Sequence, residues 1–515
     1  MPFTLPFRLP LSRKTRLVCV SIALMAAAGT IANFRRKPRP WRIQEVPIAF
    51  WAWRNQSPTE QDVRAAIQIT HAHALFLRAG QLDYQDKKLR RIRAITGSLP
   101  TGIDLHLVYN GTRSLLAQLE TVSEDELAST IAVAFQEDIR RAEQQHARII
   151  GLQIDIDVPT RLLGSYEKTL RALRRQLEPG KQLSITGLPT WMQSSELQST
   201  LAQVDFWVPQ FYGAEIPERV DQITPISSPR ALDRFVDGAR ELNKPFYAGL
   251  SAYGCALLYN AAGSLISLRG DMDPDTIAAD PNLELIDQRP FEKSAKAGSE
   301  WRFAYRARAD GVTDGLAMHS GDSLVVDVPS TESLRASARI VRELAGDKLL
   351  GICVFRLPAS DDPSTLNAEQ VATALSDGDS SANIQVRFKR SEAEDRVWLL
   401  EIENTGMASA VGGLRVDVEV DVGTIEAISP DRGESAETIC HILTLDNTPA
   451  FTACSPRRAN VIRINATGLR PGQRLKTTLV LTTRPPQALS VSVETQTDAG
   501  DRYIDRTGGR SLKME

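Results

Sequence analysis

Residues 149–157 read Ile-Ile-Gly-Leu-Gln-Ile-Asp-Ile-Asp. Successive side chains of a β-strand point to opposite faces, so alternate residues share a face. Leu152, Ile154 and Ile156 then form one apolar face, and Gln153, Asp155 and Asp157 form the other. A strand that is apolar toward one layer and carries polar groups at one end of its other face suits the wall of a closed barrel. The apolar face packs on helices, and the polar end reaches the barrel mouth.

The chain on either side repeats that unit. Further strand-like runs cover Pro47–Arg54, His73–Arg78, Asp104–Tyr109, Leu183–Leu188, Val204–Tyr212, Pro245–Leu250 and Leu349–Leu357. Between them lie helical patterns at Thr59–Thr70, Glu124–His146, Pro229–Leu242 and Thr331–Leu344, with a last one at Asn367–Leu375. Leu127, Ile131, Phe135 and Ile139 recur every four residues, as do Tyr166 and Leu170, followed by Leu173 and Leu177, which gives each helix one apolar stripe. Eight strands with helical crossovers predict an α/β fold, a (β/α)8 TIM-type barrel over residues 47–376. An open doubly wound sheet is the competitor, but no Gly-rich phosphate loop follows the first strand.

Residues 251–329 break the rhythm after the seventh strand. Ala256–Tyr259 and Ser264–Leu268 flank the turn Asn260-Ala261-Ala262-Gly263, and Trp301–Ala307 and Ser323–Val328 add strand-like runs. The segment reads as an insertion on the barrel face that carries the loops. A small polar linker at 377–382 precedes alternating runs at 383–388, 397–403, 414–422, 459–464 and 476–482. These predict an immunoglobulin-like β-sandwich over 383–515 with a polar C-terminal tail. Cys440 and Cys454 fall in it, either paired or as two separately buried thiols; Cys255 and Cys353 read as core residues at the ends of neighbouring barrel strands.

Composition narrows the class. The chain has 515 residues, 42% hydrophobic and 24% charged, which excludes a disordered chain, a collagen-like repeat and a polytopic membrane protein. Lys+Arg is 61 against Asp+Glu 63, a net charge of -2, so there is no basic field for nucleic acid. Arg13, Lys14 and Arg16 precede an apolar run from Leu17 to Phe34, and Arg35, Arg36 and Lys37 follow. Residues 1–46 therefore read as an export signal or an uncleaved membrane anchor with its linker. The expected location is the periplasm, free or held at the inner membrane, or outside the cell.

The expected site is the polar end of the fourth strand. Polar groups inside a barrel are costly unless paired or used. Two carboxylates one strand step apart raise each other's proton affinity, which is how one becomes a general acid at neutral pH. The alternatives are a satisfied polar cluster or a metal site. Aromatic residues recur at strand ends: Trp51, Trp53, Trp191, Trp207, Tyr212, Tyr253 and Phe355. Sugar rings stack on such faces. Arg78, at the top of the second strand, is positioned for an anionic sugar or for an ion pair with Asp155. The six histidines show no zinc-ligand spacing, and no Gly-x-Ser-x-Gly elbow occurs, so neither metal nor cofactor is expected.

Gly151-Leu-Gln-Ile-Asp155-Ile-Asp157 resembles the fourth-strand motif of glycoside hydrolase family 18, the chitinase-like barrels, which reads Gly-x-Asp-x-Asp-x-Glu. The resemblance implies that Asp157 stands where the catalytic acid would be and that Asp155 matches the residue assisting a substrate N-acetyl group. Gln153 replaces the first Asp. Gln210-Phe211-Tyr212-Gly213 is similar to the family's sixth-strand Met-x-Tyr-Asp, which implies that Tyr212 holds the reacting acetamido group. The chain departs from that pattern at Gly213, at Gln153, at the shorter Asp157 and at Tyr109-Asn110-Gly111 on the third strand. The chain is also similar to an uncharacterised bacterial family of exported glycosidase-like barrels, through Asp155–Thr160, Leu188–Trp191 and Tyr253-Gly254. The implied function is a glycosidase-like protein of the cell envelope, with Asp157, Asp155 and Tyr212 as catalytic candidates. Gln153, Arg78, Trp53, Trp191, Gln210, Glu215, Tyr253 and Phe355 are the candidates for binding a polysaccharide or oligosaccharide. The alternative is a barrel that binds glycan, or scaffolds the envelope, without cleaving.

Overall fold

The computed structural model describes residues 40–213, 216–222, 224–290, 300–391, 394–411, 413–430, 434–443, 449–482, 488–498 and 502–508. The apolar run 17–34 and Glu215 lie outside them. The barrel strands are β1 Ile48–Ala52, β2 Ala72–Gln85, β3 Asp104–Gly111, β4 Arg148–Asp155, β5 Gln182–Gly187, β6 Phe206–Pro209, β7 Phe246–Ser251 and β8 Leu349–Phe355. All pair in parallel with their neighbours, and β1 pairs with both β8 and β2, which closes the barrel. Parallel pairing along the chain needs a crossover between strands. The helices Glu60–Thr70, Glu124–Gln144, Leu163–Arg174, Pro229–Glu241 and Thr331–Leu344 supply most of these. Several begin at a hydroxyl cap: Thr59, Ser123 and Ser330 each accept a backbone N–H of their first turn.

Two cores result. Leu152, Ile154 and Ile156 join the layer between strands and helices, with Leu127, Ile131, Phe135, Leu170 and Leu173. Inside the barrel Ala49, Trp51, Phe76, Val108, Phe206, Val208 and Cys353 pack together. Gly151 opens the decisive stretch for a steric reason: a Cβ there would lie 2.6 Å from His106 Nδ1 and 2.9 Å from the Gln182 carbonyl oxygen.

β2 runs well past Arg78 and turns at Asp86-Lys87, both with positive φ, into the antiparallel strand Lys88–Ile92. The sequence reading leaves this hairpin out, because its turn lacks the Asn or Gly that usually marks one.

The insertion is a five-stranded antiparallel sheet in the order Leu265–Arg269, Cys255–Tyr259, Ser323–Val328, Trp301–Ala307, Leu283–Pro290. Cys255 therefore opens an insertion strand rather than ending a barrel strand, while Cys353 lies within β8; both are free and buried.

The C-terminal sandwich has a four-stranded and a six-stranded antiparallel sheet, filled by Phe388, Leu400, Val416, Ile462 and Leu479. Cys440 and Cys454 form a disulfide. The sandwich packs on its neighbours. Val411 enters the insertion core, Arg470 Nη2 donates to Asp275 Oδ2 at 2.5 Å, and Arg470 Nη1 donates to the Pro363 carbonyl. Thr331 Oγ1 donates to the Met407 carbonyl at 2.8 Å.

His106 sits on β3 inside the barrel, 2% exposed and stacked on Phe76 at 4.5 Å, and its Nδ1 has no hydrogen-bond partner among the described residues. Burial, with a smaller push from His73, lowers its pKa to about 3. The unfolded imidazole binds a proton near pH 6.5. The stability tied to a neutral His106 is therefore present above pH 6.5 and lost as pH falls toward 3. Below pH 6.5 the wild type should lose up to about 1.4 kcal/mol per pH unit relative to His106→Phe, which keeps the stack. Thermal unfolding of both proteins between pH 7 and 4 checks this; parallel curves would contradict it.

Candidate active site

β4 presents Gln153 and Asp155 to the interior, and Asp157 follows one strand step beyond its last residue. Gln153 is fully buried. Its Oε1 accepts the Trp51 indole N–H at 2.7 Å, which links β1 to β4 across the barrel, and its Nε2 lies 3.5 Å from Ser184 Oγ on β5. Above it, Asp155 Oδ1 accepts the Thr186 hydroxyl at 2.6 Å. Asp157 is exposed at the rim and makes no hydrogen bond to a described residue.

Burial and the neighbouring Asp157 push the Asp155 pKa up to about 7, against the Thr186 hydrogen bond and the Arg78 charge, which favour the carboxylate. Protein crowding on its inner side raises Asp157 as well. The pair therefore retains a proton near neutral pH.

An aromatic cluster gathers on Phe355, and one member, Tyr212, feels the charges of both carboxylates. Phe355, at the end of β8, is stacked on Tyr212 at 5.8 Å and meets Tyr253 edge-on at 4.9 Å, Trp53 at 5.7 Å and Trp51 at 6.0 Å. Burial, with Tyr253 and Asp155 nearby, holds the Tyr212 hydroxyl well above its ordinary pKa, so it remains a proton-bearing donor. The next residue, Gly213, has φ 63°, a left-handed conformation that costs glycine little.

Other expected residues fall differently. Trp191 is not at the mouth. After β5 the chain turns outward through Pro189–Gln193, and the indole is 1% exposed beneath Tyr166, donating to the Val158 carbonyl at 2.9 Å. Trp207 likewise faces the helical layer, fully buried. Arg78 is buried and forms no ion pair with Asp155. Its Nε donates to Asn110 Oδ1 at 3.2 Å, and its guanidinium lies 4.6 Å from the Trp53 ring. Gln210 is half-buried beside Gly249 at the end of β6. No group of three His, Cys, Asp or Glu side chains is placed to hold a metal among the described residues.

The structure adds residues the sequence reading passed over. Ser184 and Thr186 alternate inward on β5, the same two-residue signal that marks β4. Arg356 directly follows β8. Its Nε donates to Asp362 Oδ2 at 2.8 Å, and its Nη2 donates to Asp362 Oδ1 at 3.0 Å, to Ser364 Oγ at 2.7 Å and to the Gly270 carbonyl at 2.6 Å. The guanidinium also lies 5.7 Å from the Tyr253 ring. One buried cation thus fastens the barrel, the loop after β8, the insertion and an aromatic of the site. Although burial opposes its charge, hydrogen bonding and attraction from Arg356 hold Asp362 below its ordinary pKa.

Residues 113–284 match the family described as Domain of unknown function (DUF3142). That match takes in β4 to β7 with the start of the insertion, about a third of the chain. No curated protein matches. Among solved structures, the spore cortex-lytic enzyme SleL of Bacillus cereus is similar at 16% identity and a TM-score of 0.42, over 65% of this chain and 74% of that one. A chitinase from Chromobacterium violaceum is similar at 14% identity and 0.42, over 65% and 99%. A chitinase-like agglutinin from Robinia pseudoacacia is similar at 14% identity and 0.38, over 62% and 99%.

A carboxylic acid with a raised pKa favours its protonated form, so Asp155 contributes stability that is full below about pH 4 and lost as pH rises through about 7. Asp155→Asn keeps the Thr186 contact and carries no charge. It should unfold at a higher temperature than the wild type at pH 8, with the difference shrinking toward pH 4. An equal shift at both values would show that the carboxylate is not under this constraint.

Proposed function

We propose that this protein is a glycoside hydrolase-like enzyme of the bacterial cell envelope that acts on a polysaccharide or an amino-sugar glycan by acid catalysis at the barrel mouth. The observation that carries the reading is the pair Asp155 and Asp157 at the end of β4, both raised in pKa, with Tyr212 of the aromatic cluster near enough to feel both charges. Asp157, exposed and free of hydrogen bonds to described residues, is the group able to reach a glycosidic oxygen. Asp155 shares its proton affinity and steadies it through the Thr186 bond.

Departure of the leaving group develops positive charge on the sugar ring, which needs a nucleophile or an internal group to meet it. The resemblance on β4 and at Tyr212 supports a substrate acetamido group in that role, with the Tyr212 hydroxyl donating to it. The rings of Phe355, Tyr253 and Trp53 offer apolar faces for sugar stacking. Export belongs to the same proposal. The run 17–34 is its signal or anchor, and the Cys440–Cys454 disulfide fits an oxidising compartment. Among the described residues no helix is long and apolar enough to cross a membrane.

A second reading is glycan binding without cleavage. It is favoured by Gln153, which cannot ionise and is committed to Trp51, and by Asp157, one methylene shorter than the acid of the motif it resembles.

The test is release of reducing ends from bacterial glycans. Asp157→Asn should lower kcat about 10²–10⁴-fold, the usual worth of a general acid, with the protein still folded. Wild-type activity should decline as pH rises and the two raised carboxylates give up their proton. Tyr212→Phe should cost less, about the 0.5–1.5 kcal/mol of one hydrogen bond. Unchanged turnover in Asp157→Asn removes the acid role. Binding on a glycan array with no turnover by the wild type selects the second reading.

A further inference from the structure

Arg78 is 8% exposed, yet it forms no ion pair with a described residue. Its Nε donates to Asn110 Oδ1 at 3.2 Å and its Nη1 to the Trp53 carbonyl at 3.3 Å, while the guanidinium lies 4.6 Å from the Trp53 ring. Nη2 makes no hydrogen bond to a described residue and keeps contact with solvent. Asn110 is the register partner of Asp155 on β4, so the guanidinium reaches the level of the carboxylate pair. A buried cation without a counter-charge costs free energy, and an anion brought to it relieves that cost.

The surroundings add positive charge instead of removing it. β2 continues past Arg78 into its hairpin, where residues 85–93 carry five Lys and Arg against one Asp. Arg91 is paired with Asp138 at 2.6 Å, whereas Lys87, Lys88, Arg90 and Arg93 form no ion pair with a described residue. Asp83, opposite Arg90 in the ladder, is buried and accepts the Thr112 hydroxyl at 2.7 Å. Arg93 is exposed and close to Arg78. Burial first, and the Arg93 charge second, hold the Arg78 guanidinium below its ordinary pKa, while Asp155 opposes them. The carboxylate pair keeps a proton near neutral pH, which lessens its repulsion of a ligand anion. Planar guanidinium groups recognise carboxylates in particular.

We infer that the barrel mouth takes an acidic glycan, one sugar carboxylate of which binds Arg78 Nη2 between Trp53 and Asn110, with Arg93 as the second cation beside it. The inference rests on the glycan reading above and narrows it from any polysaccharide to one that carries a carboxylate. An uncharged glycan leaves the buried Arg78 charge unmatched, so the site discriminates by charge whether or not Asp157 cleaves.

The test is isothermal titration of the full chain in an Asp157→Asn background, so that no bond is broken. The probes are two acids with their neutral counterparts: a hyaluronan hexasaccharide and its carboxyl-reduced form, and hexagalacturonate and its methyl ester. At least one acid should bind about tenfold more tightly than its counterpart, and more weakly as salt is raised. Arg78→Gln should weaken that acid about thirtyfold or more, as removing one partner of a buried charge pair does. Arg93→Glu reverses a charge at an exposed position and should weaken it about threefold or more. Should Arg78→Gln fold poorly, Arg93→Glu carries the comparison. Equal affinity for acid and counterpart in both pairs, an unchanged preference in Arg93→Glu, or no binding of either acid overturns the inference. Binding of the neutral counterparts alone overturns it while the glycan reading stands. Failure of the acid role appears separately, as unchanged reducing-end release by Asp157→Asn.

Discussion

The hydrogen bond from the Trp51 indole to Gln153 meets the main constraint on this fold, which is that a closed barrel leaves no water for an inward polar group. Gln153 is fully buried at the level where the interior changes from apolar packing to chemistry. Along β4 it stands between Gly151, which lies against His106, and Asp155, with Val108 as its register partner on β3. Satisfying that amide ties the first strand to the fourth, one strand step below Asp155. An acidic residue there would have met an indole N–H but gained a buried charge with no cation beside it. Glutamine provides the acceptor without that cost.

The two ends of the barrel interior respond to acid in opposite ways. His106 is neutral because it is buried and unpartnered, so acidification strains it. Asp155 is crowded by burial and by Asp157, so acidification relieves it. The same low-polarity interior produces both effects, since it disfavours whichever form carries charge.

Much of the barrel was legible in the sequence, because parallel strands buried on both faces leave long apolar runs and their crossover helices leave clear stripes. All eight strands fall where alternation and apolar runs put them, and β4 shows its inward face residue by residue. What was not legible depended on partners far away in sequence. Trp191 looks like a strand-end platform until Tyr166 and the Val158 carbonyl are seen to enclose it. Arg356 looks like an ordinary charge after an apolar strand, and its meaning comes from Asp362 and the distant Gly270. In the sandwich, strands such as Glu434–Leu443 and Ala488–Gln496 were missed because their outward faces carry as much polarity as a loop.

Arg470 has a mechanical consequence. From the sandwich it grips Asp275 in the insertion with one nitrogen and the Pro363 carbonyl, in the loop after β8, with another. Three parts of the chain that are far apart in sequence thus meet at one side chain, and the sandwich acts as a strut between the insertion and the loop after β8. Loss of the Arg470 side chain would therefore release the sandwich from the insertion and from the loop after β8 at once, so the anchorage of the insertion is shared with a module that begins more than a hundred residues later in the chain.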